Sequence, residues 1–227
     1  MNAELRGRQI LWRWMSEAST RRHALEKWQA ENPGVSADWD DAVLEHEQRN
    51  VLEQARHDKA DRMRAAGLPS RALAVWSSGM SETPALRAVN AFVGCAKTFL
   101  LLMGSTGVGK TVATAAALEQ GGVFVRAVEL ARLSVYDEQD RRRLRSVHRT
   151  HMLVLDDLGA ELLHDAWRPM LDELMDIRYG NSLQTIITTN LDVGTFKARY
   201  GQRIADRVRD DGMVELCGSR SLRGEDA

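Results

Sequence analysis

The chain has 227 residues, enough for one large domain or for one domain with a small companion. Its 44% hydrophobic and 28% charged content is ordinary for a globular protein that buries a core. The 31 basic and 32 acidic residues give a formal net charge of −1, which excludes a chain-wide attraction to nucleic acid or anionic lipid, so any such site must be local.

The first 67 residues predict a small helical domain. Residues 4–30 have a helical pattern, the letters ENPG interrupt it, and a long helix follows from Ser36 to a stop at Gly67. Acidic residues occupy the first turn of this helix and basic residues its last turn, as the helix dipole favours. We therefore assign residues 1–67 to a helical amino-terminal domain and residues 68–227 to a second domain.

Four of the six tryptophans lie in the first segment: Trp12, Trp14, Trp28 and Trp39. Aromatic side chains are usually buried, which favours the core of a helical hairpin. The alternative is that some of them form an exposed hot spot for a partner protein. The segment has 11 basic against 12 acidic residues, and without a net basic charge it suits protein docking better than DNA docking.

From residue 98 onward, apolar runs alternate with helical patterns. The predicted strands are written in the sequence as TFLLLM, GVFVRA, HMLVLDD and QTIITTN. The run KTVATAAALEQ, residues 110–120, consists of strong helix formers and ends at Gly121 and Gly122. Near-continuous apolar strands separated by helices are typical of a parallel sheet that helices cover on both faces. The second domain is therefore predicted to be α/β, with an αβα parallel sheet.

The stretch GSTGVGKT follows the first strand directly and opens the next helix. Strand, then G-x-x-x-x-G-K-T, then helix is the arrangement of a P-loop. Its glycines let backbone N–H groups converge on phosphate, and Lys110 supplies positive charge to the β- and γ-phosphates. The Thr111 hydroxyl is placed to bind Mg²⁺. The residues predicted to bind ATP are Gly104, Ser105, Thr106, Gly107, Val108, Gly109, Lys110 and Thr111.

Polar residues at two further strand ends match this site. Asp156 and Asp157 close the run HMLVLDD; the first is predicted to hold Mg²⁺ through water, and the second to polarise the attacking water. Asn190 ends the run QTIITTN, where its amide is placed to orient water near the γ-phosphate. We therefore predict Asp157 and Asn190 as catalytic residues, with Thr111 and Asp156 at the metal.

Four runs occur in a distinctive order and spacing: LLLMGSTGVGKT, LVLDDLGAE, TIITTNLD and YGQRIADRVRDDGMVELCGSRSLR. On these runs, residues 68–223 resemble the DnaC/IstB branch of the AAA+ ATPases. The resemblance implies a P-loop domain that assembles into a homo-oligomer, with ATP at the boundaries between subunits. It also implies that Asn190 acts as the first sensor of the nucleotide.

The same resemblance implies roles for three arginines. Arg207 would be the catalytic finger that reaches into a neighbour's site, with Arg203 as the alternative. Arg223 would sense the bound nucleotide, although Leu222 stands where the family usually has an aromatic residue. A planar guanidinium suits these roles because it stabilises the spread charge of a transferring phosphoryl group. A surface salt bridge is the alternative for each.

The segment of residues 126–151 is locally basic, with seven arginines against four acidic residues. Such a segment could follow the phosphate backbone of single-stranded DNA, and the resemblance places it on the DNA-facing part of the domain. The alternative is a solvated helix face. The candidate DNA contacts are Arg141, Arg142, Arg143, Arg145 and Arg149.

The cysteines and the amino terminus indicate the compartment. Cys95 and Cys217 are far apart and form no CxxC pair, which argues against a disulfide scaffold or thiolate zinc site and fits a reducing cytoplasm. Charges throughout residues 1–20 exclude a signal peptide, and no apolar run approaches the length of a membrane span. We therefore expect a cytoplasmic protein without a membrane partner.

Three functions are compatible with these observations. The first is an ATPase that loads the replicative hexameric helicase onto single-stranded DNA, with residues 1–67 gripping the helicase. The second is a transposition helper ATPase, similar to IstB, that coats duplex DNA. The third is a nucleotide-switched adaptor with little turnover, because Asp157 stands where many AAA+ proteins have a longer glutamate.

Overall fold

The computed structural model describes residues 41–218, together with Ala30 and Pro33, and for residues 41–49 it describes the backbone alone. Several sequence predictions lie outside the described residues: the helix over 4–30, Ser36 as a helix cap, Arg223, and the tryptophans Trp12, Trp14, Trp28 and Trp39. The chain divides into two compact units, residues 1–58 and 59–227.

Helix α1, Asp41–Ala66, is continuous and accounts for most of what is described of the first unit. It ends where the sequence predicts, because Gly67 and Leu68 donate backbone hydrogen bonds to Arg64 and Met63, 3.0 Å each, which close its last turn. The last turns of α1 belong to the second unit, and there Met63 and Ala66 are buried in that unit's own core. The assignment of residues 1–67 as a separate domain stays a prediction.

Two short helices follow in the second unit, α2, Ser70–Ser77, and α3, Pro84–Val93. The cap of α3 is built from its sequence: the Thr83 hydroxyl accepts the Leu86 N–H at 3.1 Å, and Pro84 occupies the first helical position. Val89 and Phe92 are fully buried, so α3 packs its apolar face on the sheet.

The sheet has five parallel strands in the order β2-β3-β4-β1-β5. Their bounds are β1 Phe99–Met103, β2 Val123–Arg126, β3 Met152–Asp156, β4 Gln184–Thr189 and β5 Gly212–Leu216. The four predicted strands are confirmed, as is the parallel arrangement. The fifth strand was not predicted because the run GMVEL is partly exposed along its length and lacks a continuous apolar signal.

Apolar residues cover both faces of the sheet. Alternate residues of β1 point to opposite sides: Leu100 and Leu102 join one buried cluster, while Phe99, Leu101 and Met103 join the other. Each face therefore has its own core, which explains why the central strands have no polar alternation.

The predicted helix over residues 110–120 is divided in the structure. Helix α4, Lys110–Ala113, and helix α5, Ala115–Leu118, flank Thr114. The Thr114 hydroxyl donates to the Thr111 carbonyl at 2.7 Å, and the Ala117 N–H bonds the carbonyl three residues earlier at 3.1 Å. This back-bonding tightens the turn at Thr114 and interrupts the regular α-helical hydrogen bonding.

The remaining helices connect or flank the strands. They are α6 Ala127–Leu130, α7 Glu138–Arg149, α8 Trp167–Gly180, α9 Val193–Tyr200 and α10 Gln202–Asp210. Within the described part of the chain, none of the helices combines the length and the apolarity that crossing a membrane requires.

Candidate nucleotide-binding site

The candidate site lies at the carboxyl edge of the three central strands. Strand β4 pairs with β1 on one side and with β3 on the other, so the loops after these strands are neighbours. The P-loop follows β1, Asp157 follows β3 and Asn190 follows β4. Open parallel sheets bind ligands at this edge, and the topology therefore brings the predicted residues together.

The P-loop turns tightly above the end of the edge strand β5. Gly104, Gly107 and Gly109 have φ values of 152°, 90° and 88°, which only glycine adopts readily. A Cβ atom on Gly104 would lie 2.8 Å from the carbonyl oxygen of Gly218, so no side chain fits there. Ser105 N–H donates to that same carbonyl at 3.3 Å. The glycine cradle required for a phosphate group is present.

Lys110 is 7% exposed, and its ammonium group is hydrogen-bonded both to the P-loop and to the residue after β4. Its Nζ atom donates to the carbonyls of Gly104 and Ser105, at 2.6 and 2.9 Å, and to Asn190 Oδ1 at 2.9 Å. Burial lowers the pKa of Lys110, and the nearby carboxylates act in the opposite direction. The ammonium group therefore lies within the loop that the phosphates would enter.

Asp156 is buried at the end of β3, where two hydroxyl groups hold it. Its Oδ1 accepts from Thr111 Oγ1 at 2.9 Å and from Thr188 Oγ1 at 2.7 Å. Burial raises the pKa of this carboxyl group, and the two hydrogen bonds oppose that effect. Thr188 also accepts the Asp157 N–H at 2.9 Å, so one threonine orients both aspartates. Sequence reasoning missed Thr188, although its place two residues before Asn190 is a usable signal.

Asn190 links the positively charged Lys110 to Asp157. It accepts from Lys110 and donates through Nδ2 to Asp157 Oδ1 at 3.0 Å. Asp157 has a φ of 57°, uncommon for a residue with a side chain and often found at functional positions. Through Thr188, one connected group is thus formed by Lys110, Thr111, Asp156, Asp157 and Asn190, while their individual catalytic roles stay predictions.

The oxygen atoms of this group suit Mg²⁺. A hydroxyl and a carboxylate, Thr111 and Asp156, lie in direct contact, and hard cations prefer such ligands. Among the side chains that the structure describes from residue 50 to residue 218, there is no group of three or more acidic, histidine or cysteine side chains that could hold a metal alone. In nucleotide sites, Mg²⁺ is usually bound through one or two protein ligands together with phosphates.

The two candidate finger arginines lie on α10 and share one carboxylate of α8. Arg203 Nη2 lies 2.5 Å from Asp176 Oδ2, and Arg207 Nη2 pairs with Asp176 Oδ1. The Arg203 side chain is 64% exposed, whereas that of Arg207 is 16% exposed. Arg207 Nη1 is buried without a hydrogen-bond partner among the described residues. The guanidinium of Arg207 is thus held within its own chain, and that of Arg203 is open to solvent.

The candidate DNA-binding arginines lie on α7, which Asp137 caps. Glu138 pairs with three of them, Arg141, Arg142 and Arg145, at 2.5, 3.2 and 3.7 Å. Arg143 pairs with Glu129 of α6 at 3.0 Å. All four side chains are about half exposed or more, which leaves the helix face accessible although partly neutralised.

Comparison with known protein families matches residues 21–224 to the family described as "IstB-like ATP binding protein". Among curated proteins there is no significant match.

Solved structures with a similar fold include two with recognisable sequence identity. A structure of the DnaC helicase loader is 28% identical, with a TM-score of 0.52, covering 59% of this chain and 88% of that chain. The DnaI structure is 25% identical, also with a TM-score of 0.52, covering 61% of this chain and 82% of that one. A candidate primosome component from Streptococcus pyogenes serotype M3 is 19% identical and shares the fold, with a TM-score of 0.57 and coverages of 73% and 98%.

Proposed function

The chain belongs to the family of IstB-like ATP binding proteins, whose model matches residues 21–224, and we propose that it loads the replicative DNA helicase onto single-stranded DNA. The family and the fold make it an ATP-binding protein of the P-loop AAA+ class. The observation that carries the loader role is the likeness to the DnaC helicase loader over 88% of that chain.

In the proposed reaction, the chain's own residues bind ATP and direct its hydrolysis. The P-loop N–H groups and Lys110 neutralise the phosphates, and Asp157 polarises a water that Asn190 helps to orient. Thr111 and Asp156 would hold Mg²⁺, which when bound neutralises charge on the β- and γ-phosphates. The chemistry is completed by an arginine of a neighbouring copy, so hydrolysis requires assembly.

The helicase would dock on residues 1–67, and a binding experiment tests this. We expect the full chain to capture the hexameric helicase of its own host, and a variant without residues 1–40 to lose that capture. The truncated chain should still bind ATP, because α1 and the second unit remain. Failure of the full chain to bind the helicase, with ATP binding intact, would overturn the loader role and leave the ATPase.

The arginines of α7 would contact the phosphate backbone of single-stranded DNA. Replacing Arg141, Arg142 and Arg145 together by alanine should weaken binding and reduce the salt dependence by about 0.7 per lost phosphate contact. Glu138→Gln should tighten binding, since it releases the same three arginines from their shared partner. Fluorescence anisotropy over a salt series measures both effects.

The control for this charge change is Glu82→Gln, which alters an exposed ion pair with Arg87 on another part of the domain. It should leave DNA affinity unchanged. If the triple variant and Glu138→Gln both bind DNA like the parent protein, the basic face of α7 is only a solvated surface.

A second candidate function is that of a transposition helper, which the family's own description as IstB-like favours. It shares the ATPase residues, so the substrate distinguishes the two. Filaments on duplex DNA, seen by electron microscopy in the presence of ATP, would support the helper. Selective binding of single strands together with the helicase would support the loader.

The third possibility, an adaptor switched by nucleotide with little turnover, depends on Asp157. A shorter carboxylate places water less well than glutamate, so turnover distinguishes this function from the other two. Steady-state ATP hydrolysis, with and without single-stranded DNA, is the measurement.

A further inference from the structure

A buried carboxylate lies behind the loop that carries Asp157. Glu161 is 2% exposed, and it belongs to none of the phosphate, metal or water contacts proposed above. A charge in a protein core costs free energy unless several partners satisfy it. The partners of Glu161 therefore indicate what it holds in place.

Glu161 accepts hydrogen bonds from three different elements. Its Oε2 accepts the Gly159 N–H at 2.8 Å, within the loop after β3. Its Oε1 accepts Trp167 Nε1 at 3.2 Å, at the start of α8. The same Oε1 accepts Tyr200 Oη at 2.6 Å and Arg199 Nη2 at 3.2 Å, at the end of α9. One carboxylate thus joins a loop of the nucleotide site to the ends of two helices.

The contact with Gly159 constrains the backbone next to Asp157. Gly159 has a φ of 121°, and a Cβ atom there would lie 3.0 Å from the side chain of Leu191. On its other side, the Asp157 N–H is bonded to Thr188. The unusual conformation of Asp157 is therefore held from both directions, by β4 and by Glu161.

The contacts with the two helices constrain the arginines. Tyr200 is the last residue of α9, and a single glycine separates it from α10, which carries Arg203 and Arg207. Trp167 begins α8, which carries their partner Asp176. Glu161 is thus bonded to the first residue of α8 and to Tyr200, which lies two residues before the start of α10.

We propose that Glu161 is a positioning residue that fastens the Asp157 loop and the base of the arginine-bearing helix to one another. This proposal rests on the proposed function, because that function supplies the roles of Asp157 and the arginines. The contacts of this carboxylate orient Asp157 in the chain's own nucleotide site. The same contacts position the arginine that would enter the site of a neighbouring copy. Glu161 contributes to hydrolysis and not to the affinity for nucleotide.

Two variants test the role of Glu161, one by removing its charge and the other by removing a single hydrogen bond to it. Glu161→Gln keeps the size of the side chain but removes the charge and turns an amide donor toward groups that are themselves donors. Tyr200→Phe removes one of the two side-chain links between α9 and Glu161, the Tyr200 hydroxyl, and leaves the contact with Arg199 in place. Glu82→Gln, at an exposed glutamate paired with Arg87, is the matched control.

Three measurements are made on the full-length chain. Nucleotide affinity and turnover are measured separately; Glu161→Gln should keep ATP affinity within about twofold and lose about tenfold or more in kcat, as misplaced catalytic groups do. Hydrogen exchange should become faster in residues 157–161 and 199–203 together, with the P-loop unchanged. Tyr200→Phe should loosen residues 199–203 and reduce kcat to a smaller degree.

An unchanged kcat, or an equal loss of affinity and turnover, would overturn the proposal, as would unchanged exchange in both segments. If Glu161→Gln does not fold, Tyr200→Phe decides the same question through one hydroxyl. The exchange experiment needs no ATP. If the parent protein fails to bind adenine nucleotide, the proposed function is wrong, while faster exchange in both segments would still support the fastening role of Glu161.

Discussion

Replacing Lys110 by alanine is expected to remove most of the ATP affinity. The ammonium group is buried inside the P-loop and is the positive charge that touches the loop carbonyls and Asn190 together. Losing one buried charge-assisted contact costs about 1.5–3 kcal/mol, and Lys110 is expected to serve two phosphates. Affinity should fall by at least about 100-fold, since about 1.4 kcal/mol corresponds to tenfold.

Calorimetric titration with ATP and Mg²⁺ measures this loss. Lys59→Ala is the matched control, because that lysine makes a half-exposed ion pair with Glu119 outside the P-loop. Its ATP affinity should equal that of the parent protein. Thermal unfolding of both variants shows whether the fold survives. Normal ATP binding by Lys110→Ala would contradict the assignment of the P-loop as the phosphate site.

Replacing Arg207 by alanine should spare ATP binding and stop hydrolysis in the assembled state. A finger arginine contributes about 10³-fold or more to phosphoryl transfer, because it stabilises charge that develops only in the transition state. The pairing of Arg207 with Asp176 adds a structural role that must be separated from catalysis. Asp176→Asn serves this purpose, since it weakens the pair and keeps both arginines.

Arg203→Ala is the companion variant, because Arg203 is the more exposed of the two and shares the same carboxylate. Mixing Arg207→Ala chains with Lys110→Ala chains gives a further test. Each is inactive alone, but a mixed assembly has interfaces with an intact P-loop on one side and an intact arginine on the other. Restored turnover would support an arginine supplied by the neighbour. Normal hydrolysis by Arg207→Ala, with loss in Arg203→Ala, would move the finger to Arg203.

Features that depend on local sequence were predictable. The central strands are apolar on both faces, so their runs stand out, and the glycines, Lys110 and Thr111 follow a fixed spacing after β1. The end of α1 at Gly67 was also predictable, because a glycine after basic residues in the last turn is a local helix-stop signal. The break at Thr114 was not, because helix propensity does not show which hydroxyl will bond its own backbone.

Features that depend on contacts between distant residues could not be predicted. The edge strand β5 takes its identity from pairing with β1, which lies more than a hundred residues earlier. The pairing of Arg207 with Asp176, and the convergence of Gly159, Trp167 and Tyr200 on Glu161, require the folded sheet to bring separate helices together. The sequence shows which of these residues can form hydrogen bonds or ion pairs, but only the fold shows which of them are partners.

The support beneath Gly104 has a consequence for fragments of this protein. The loop for the triphosphate rests on Cys217 and Gly218, which follow the outermost strand. A shortened chain ending before residue 212 would keep every letter of the G-x-x-x-x-G-K-T signature. It would lack β5 and the residues after it that contact the P-loop. Possession of the signature is therefore an insufficient criterion for choosing a minimal ATP-binding piece.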